Sequence, residues 1–339
     1  GDMGALPDFL PGYQRPEQPA TKERFSKIWG DFSCLRGNNI IQMFNLIDEG
    51  KMKAIFVVGE NPVLSDPDQT HTIHCLEKVP FLVVQDIFMT ETAQFADVIL
   101  PAASFLEREG TYTNTDRRVQ MIHKVIEPIG DSRPDWAIMV DIMKRIGMDV
   151  DYQNASDIMD EINEATDIYG GITHQRIKEV GIQWPCPDKN HPGTPILHVG
   201  EFKHGKGLFT VNDFEYIGDQ RSAEYPFIVT TGRVTHQYHT GTMTRKVWTL
   251  ALEYPHGFVE IHSKDAEALG IKDHQRIRIT SARGSIVAPA LITNRINEKT
   301  LFVPFHFAES PANRLTGQNL DPFISIPALK VSAVKIEVE

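Results

Sequence analysis

The chain is poor in cysteine: Cys34, Cys75 and Cys186 are its only three among 339 residues, and they stand far apart. Without a CxxC pair, an iron–sulfur or zinc site built from this chain alone is not expected. Sparse cysteine fits a reducing compartment. Long hydrophobic runs are also missing. The longest are shorter than a membrane-crossing helix requires, so no span is predicted. Basic residues are in deficit, 34 Lys and Arg against 45 Asp and Glu, and the net charge of -11 argues against nucleic acid or an anionic membrane as a partner. No G-x-G-x-x-G follows any predicted strand, which sets aside a free-standing nicotinamide dehydrogenase. The opening Gly1-Asp2-Met3-Gly4 has neither a charged nor an apolar leader region and does not read as a signal peptide.

A hydrophobic content of 41% and a charged content of 23% are those of a globular protein, long enough for two domains. The stretch around which the rest is organised is Val83–Arg118. An apolar run, Phe81 to Val84, stops at Gln85-Asp86, and a second, Val98 to Leu100, stops at Pro101. Ligands of open α/β sheets sit where parallel strands end in this way. Asp116 and Arg117 then close a third polar stretch that begins at Thr111 and is dense in donors and acceptors. Upstream, Lys53 to Val58 reads as a buried parallel strand turning at Gly59-Glu60-Asn61-Pro62, and Asn38 to Glu49 as a helix that Gly50 ends. Helices over 68–78 and 91–96 complete the alternation of a doubly wound α/β region. His71, His74 and Cys75 lie at helical spacing, but nothing nearby completes a metal-ligand set, so no metal site is assigned. Asp135 is positioned to cap a helix over Ala137 to Ile146. Two weaker helical patterns occupy 151–180, and 187–206 reads as a linker.

From Tyr225 the texture changes to short β-rich runs: Phe227–Thr230, Phe258–Ile261, Gln275–Thr280, Ser285–Ala290, Leu301–Val303 and Ala333–Val338. Their spacing predicts a β-barrel, with a short helix over Ser263 to Leu269 and a hairpin turn at Arg283-Gly284. Between Thr230 and Arg245 the chain gathers Arg, His, Gln and Thr and holds no Asp or Glu. That composition suits an electron-rich, anionic ligand.

VVQDIFMTETAQFADVILP followed by E-x-E-G-T-Y-T-N-T-D-R-R-x-Q resembles the large subunit of the molybdopterin-guanine-dinucleotide oxidoreductases, and among them formate dehydrogenase alpha subunits. SKDAEALGI and KDHQRIRITSARGSI resemble that family's double-psi barrel core. The resemblance runs from Gly4 to the C-terminus and covers the second half of such a subunit, so the chain is expected to be a fragment or a split-gene subunit. It implies a doubly wound region over 1–215, a double-psi β-barrel over 220–339, and molybdopterin guanine dinucleotide with molybdenum or tungsten as cofactor. Gly59, Glu60, Asn61 and Asp135 would contact the cofactor, the first three at its guanine dinucleotide portion; Gln85, Asp86, Pro101, Asp116 and Arg117 are candidates from the organising stretch. Arg233, Gln237, His239, Thr240 and Thr242 would meet the pterin and pyrophosphate, and Phe305, His306, Asn313, Asn319 and Lys330 would line the pterin side. Cys186, in a segment resembling the family's, would be structural.

The family's [4Fe–4S] cysteines, catalytic Cys or selenocysteine with its His, and separate Arg have no counterpart here, so no residue is assigned as catalytic or metal-ligating and the chain alone is expected to be inactive. Implied partners are the N-terminal half of the same subunit and iron–sulfur or NAD-linked electron-transfer subunits. Formate oxidation is the expected activity. A cytoplasmic location is the expectation, any export signal belonging to the half of the subunit outside this sequence. The competing expectations are nitrate reductase or another superfamily member, and a non-catalytic cofactor-binding or scaffold module.

Overall fold

The computed structural model describes residues 3–202 and 204–339. Two compact units emerge, one of Gly1–Met43 with Pro101–Val211, the other of Phe44–Leu100 with Asn212–Glu339.

The chain begins with α1 (Pro19–Trp29) and α2 (Ile40–Asp48), the latter ended by Gly50 at φ 71°. An alternation of strand and helix follows: β1 (Ile55–Val58), the single turn α3 (Pro62–Ser65), α4 (Gln69–Lys78), β2 (Leu82–Asp86) and β3 (Val98–Pro101). β1 and β2 pair in parallel, Ile55 opposite Leu82, in a sheet of order β1-β2-β3. Its core joins Phe44, Ile47, Val57, Leu76, Leu82 and Val84, so the apolar face of α2 is anchored on this sheet. The helix expected over 91–96 is instead a 3-10 turn at Thr92–Phe95. Side chains take up its backbone donors, with Asn61 Oδ1 accepting from Thr92 N–H and Thr90 Oγ1 from Ala93 N–H. These bonds favour a tight turn over a continued helix.

β4 (Gly110–Thr113) and β5 (Arg118–Ile122) form an antiparallel hairpin that the sequence reading took as a polar stretch. Thr-Tyr-Thr and Arg-Val-Gln-Met-Ile suit strands, and Asn114 closes the turn by accepting from Arg117 N–H and Arg118 N–H. α5 (Asp135–Arg145) starts at Asp135 itself; Pro134 holds the cap position, which corrects the expected capping role. Asp135 still places a negative charge in the positive first turn. α6 (Ala155–Ala165) carries a capping box between Asn154 and Asp157, and the remainder of the second helical pattern resolves into turns. β6 (Ile182–Gln183) adds to β5, and Val119, Met159, Tyr169, Ile172 and Cys186 pack together beneath it. The described residues within 187–206 hold neither helix nor strand; Lys203 lies outside them.

All six β-rich runs of the C-terminal region are strands. β7 (Phe227–Gly232) leads, through α7 (Trp248–Glu253), to β8 (Val259–His262) and α8 (Ser263–Leu269), which Gly270 ends in the left-handed conformation. β9 (Arg276–Ser281), β10 (Ser285–Thr293), β11 (Thr300–Pro304) and β12 (Ser332–Val338) complete a closed barrel in the order β10-β8-β11-β7-β12-β9. β8 with β10 and β7 with β11 are parallel pairs, and the others are antiparallel. Alternate residues point inward, and Val229, Val259, Ile261, Ile277, Ile279, Leu301 and Val334 fill the interior. Closure removes free strand edges and leaves the loops to carry chemistry.

Candidate functional site

Two turns leave the carboxyl end of the parallel sheet. At the first, Gly59 adopts φ 62° and donates to Gln85 O at 2.9 Å, while Glu60 is exposed. Asn61 is buried: Nδ2 donates to Glu91 Oε2 at 2.7 Å, and Oδ1 accepts from Thr92 Oγ1 at 2.7 Å. It therefore couples the turn after β1 to the turn after β2. Gln85 is buried at the end of β2, and Asp86 accepts from Phe88 N–H at 3.0 Å.

The loop after β7 is folded around His306. This buried imidazole accepts from Val234 N–H at 3.0 Å through Nε2, and its Nδ1 faces His239 O. Those partners fix the neutral tautomer with the proton on Nδ1. Burial, the largest influence, pushes the His306 pKa down, and the charges of Arg233, His239 and Arg245 push the same way. The bracing holds His239 at φ 49° against the edge of Phe305, their ring centroids 5.9 Å apart. Arg233 is exposed and lies over the Phe305 ring at 5.9 Å. Thr240 and Thr242 share a hydroxyl hydrogen bond of 2.9 Å across Gly241, whose φ of 72° and tight surroundings exclude a Cβ. Gln237 is 5% exposed, and its Oε1 accepts from Thr244 Oγ1 at 2.7 Å. Its Nε2 is buried with no hydrogen-bond partner among the described residues. Lys330 spans the barrel end to donate to Thr231 O at 2.8 Å, and burial, helped by Arg233, lowers its pKa.

These loops meet in a cleft of about 170 Å³ lined by Thr90, Glu91, Thr240, Thr242, Arg245 and Lys246 among others. Asn313 ties the cleft together from below: buried, it donates through Nδ2 to Leu64 O at 2.8 Å and Ser65 O at 3.0 Å. Asn319 lies elsewhere on the barrel, where its Nδ2 donates to Asp219 Oδ1 at 3.0 Å beside the Asp219–Arg283 ion pair. The second unit thus brings together Gly59, Glu60, Asn61, Gln85 and Asp86 from the sheet with Thr240, Thr242, His306 and Asn313 from the barrel. Pro101, Asp116, Arg117 and Asp135 belong to the other unit. There Arg117 donates to Thr194 O and Pro195 O at 3.0 and 3.1 Å and lies over Trp184, while Asp116 accepts from Gln183 Nε2 at 3.1 Å. Asp135 pairs with Arg108 at 3.5 Å.

Sequence reasoning passed over Thr90, Glu91, Arg245 and Lys246. Arg245 and Lys246 carried a legible signal as a cationic pair closing a loop without carboxylates. Glu91 carried none, because its importance rests on Asn61, thirty residues away.

A parallel α/β sheet and a closed barrel turn the hydroxyls of Thr90, Thr240 and Thr242 and the cations Arg245 and Lys246 toward one cleft, an arrangement suited to a polar, anionic ligand. Comparison with known proteins gives the family. The model of the family described as molybdopterin oxidoreductase matches residues 2–145, and that of the molydopterin dinucleotide binding domain matches residues 227–333. The chain is 44% identical over 342 residues to the F420-dependent formate dehydrogenase subunit alpha of Methanocaldococcus jannaschii, covering 99% of this chain and 50% of that one. It is 37% identical to the assimilatory nitrate reductase catalytic subunit of Bacillus subtilis (99% and 49% covered) and 34% identical to formate dehydrogenase H of Escherichia coli (99% and 48%). Acetylene hydratase from Pelobacter acetylenicus has the same fold, with a TM-score of 0.69 at 18% identity, over 94% of this chain and 50% of that one. The chain belongs to the molybdopterin oxidoreductases, and its cofactor is molybdopterin guanine dinucleotide carrying molybdenum or tungsten. It spans about half the length of the curated relatives it matches. The residues fit such a group: a dinucleotide is anionic and rich in acceptors, and the β7 loop offers Arg233 and the free donor of Gln237 with no carboxylate between Thr230 and Arg245. Among the described residues no helix is long and apolar enough to cross a membrane, and no cluster of His, Cys, Asp or Glu is arranged for a metal ion.

Proposed function

We propose that this chain is the C-terminal, cofactor-holding half of a formate dehydrogenase catalytic subunit, which as a whole oxidises formate to carbon dioxide with release of one proton and two electrons. The observation that carries this reading is the 44% identity, along 99% of the chain, to a formate dehydrogenase alpha subunit. In this division residues 1–215 complete the α/β region and 220–339 form the dinucleotide-binding barrel. When bound, the metal–pterin group accepts the electron pair; the protein positions it and shapes its surroundings. Arg233, Gln237, His239, Thr240 and Thr242 receive its anionic and acceptor atoms. His306 and Asn313 act one step back, His306 by fixing the loop's backbone and Asn313 by clamping the turn after β1. Gly59, Glu60 and Asn61, with Gln85 and Asp86, serve the guanine dinucleotide end. Pro101, Asp116, Arg117 and Asp135 are retained as proposed cofactor contacts on the family resemblance, and Phe305, Asn319 and Lys330 as residues of the pterin side. The remaining half of the subunit supplies the [4Fe–4S] cluster and the catalytic groups. Iron–sulfur carriers would pass the electrons to a partner subunit, and the names of the relatives favour F420 as acceptor over NAD.

The likeness to an assimilatory nitrate reductase supports a second reading, in which the same cradle serves nitrate reduction. The two are separated by assaying the complete subunit, loaded with metal and pterin, with viologen dyes. The formate reading expects formate-dependent reduction of the oxidised dye. Oxidation of reduced dye by nitrate, with no response to formate, would replace it by the second.

A further inference from the structure

Beside the cleft, the segment from Tyr238 to Glu253 leaves its large side chains uncovered. Trp248 is 73% exposed, Leu252 67% and Tyr238 74%, with Met243 and Val247 also exposed, and α7 buries none of its six residues. Trp248 and Leu252 stand four residues apart on one helical face. Covering Trp248 and Tyr238 would remove on the order of 300 Å² from water. A helix of six residues is far too short to persist on its own hydrogen bonds. Its first turn is closed by Val247 O at the cap position, which accepts from Leu250 N–H and Ala251 N–H at 3.1 and 3.0 Å. Tryptophan, tyrosine and methionine are also the residues enriched at the cores of protein interfaces.

From this we infer that the Tyr238–Leu252 face is a docking surface for the remaining half of the same polypeptide. The inference rests on the half-subunit reading of the preceding section. Two observations choose this occupant. The relatives are about twice as long as this chain, so a comparable mass of protein is available to cover the patch. The patch also adjoins the cleft, because α7 packs against the turn Thr244–Lys246, whose Arg245 and Lys246 belong to the cleft wall. Docking there would stiffen the loop that carries the cofactor contacts, making assembly of the two halves and completion of the cofactor site a single event.

The test uses the complete subunit, with a cysteine introduced as Leu252→Cys and, for comparison, as Lys272→Cys, an exposed position on the barrel. Peptide-resolved labelling by a water-soluble maleimide is expected to be at least about tenfold slower at 252 than at 272 in the folded protein, and equal at the two after denaturation. Hydrogen exchange of amides 248–253 in the unsubstituted subunit gives the same comparison without a substitution, and protection is expected there too. Both results should be independent of protein concentration. Protection that grows with concentration would assign the face to a second copy, and protection that requires an added electron-transfer subunit would assign it to that partner; either overturns the inference. Fast labelling and exchange in a subunit twice this length would also overturn it while leaving the half-subunit reading intact. A native polypeptide of 38.2 kDa would remove the half-subunit reading itself.

Discussion

Asp66 gives the sharpest quantitative expectation. It follows α3 and is largely buried; Oδ1 accepts from Ser65 Oγ at 3.0 Å, and Oδ2 has no hydrogen-bond partner among the described residues. Burial pushes its carboxyl from 3.8 up to about 6, Ser65 opposes that, and the nearby Glu60 adds to it. The folded state therefore binds the proton more tightly than the unfolded chain. The associated stability is complete below the unfolded pKa and is lost as pH rises through the folded value of about 6. At 1.36 kcal/mol per pKa unit, the rise corresponds to roughly 3 kcal/mol of destabilisation once Asp66 is ionised. Asp66→Asn retains the acceptor for Ser65 and removes the charge, but leaves one unpaired amide costing about 1 kcal/mol. The substitution should stabilise the protein by about 2 kcal/mol near pH 8 and be neutral or slightly destabilising near pH 4. Urea unfolding followed by circular dichroism across this range measures the difference. A difference that does not change with pH, or a less stable variant at the alkaline end, would refute the assignment of a buried, uncompensated carboxylate.

Asn313→Ala should destabilise by about 2–4 kcal/mol, because the carbonyls of Leu64 and Ser65 lose their shared donor inside the protein; the same urea titration reads it. Gly241→Ala places a Cβ 3.0 Å from His306 O and 2.9 Å from the Arg245 side chain at a positive φ, so a loss of about 1–3 kcal/mol in thermal unfolding is expected. The lowered pKa of His306 has the opposite sign from Asp66: the unfolded chain binds the proton more tightly, so its contribution is present above the ordinary pKa of about 6.5 and lost as pH falls below it. Substituting His306→Gln should remove that acid-side loss from the pH profile of the unfolding midpoint.

Much of this was legible in the sequence wherever the signal was local. Six apolar runs bounded by Gly, Asn and Asp gave six barrel strands, and Gly50 and Gly270 ended their helices as expected. The strand-to-turn breaks at Gly59 and Gln85 placed both turns at the carboxyl end of a parallel sheet. What escaped depended on long-range partners. Arg117 reads as a free cation among polar residues, yet its guanidinium is spent on carbonyls almost eighty residues downstream. Asn313 reads as a ligand contact, yet both bonds of its amide go to backbone in a turn 248 and 249 residues earlier. The stretch Val83–Arg118 is continuous in sequence but divides between two compact units at Leu100 and Pro101, and no local periodicity marks that division.

Cofactor content of the complete subunit tests the central claim most directly. Molybdenum or tungsten would be measured by mass spectrometry, and guanine nucleotide released by acid would be measured alongside it, for the unsubstituted subunit and for Gln237→Ala. The account predicts metal and guanine nucleotide together in the unsubstituted subunit and a several-fold loss of both in the variant, since Gln237 Nε2 is a buried donor without a partner among the described residues, on the loop proposed to hold the cofactor. A folded Gln237→Ala subunit with undiminished cofactor, or an unsubstituted subunit with neither metal nor guanine nucleotide, would contradict it.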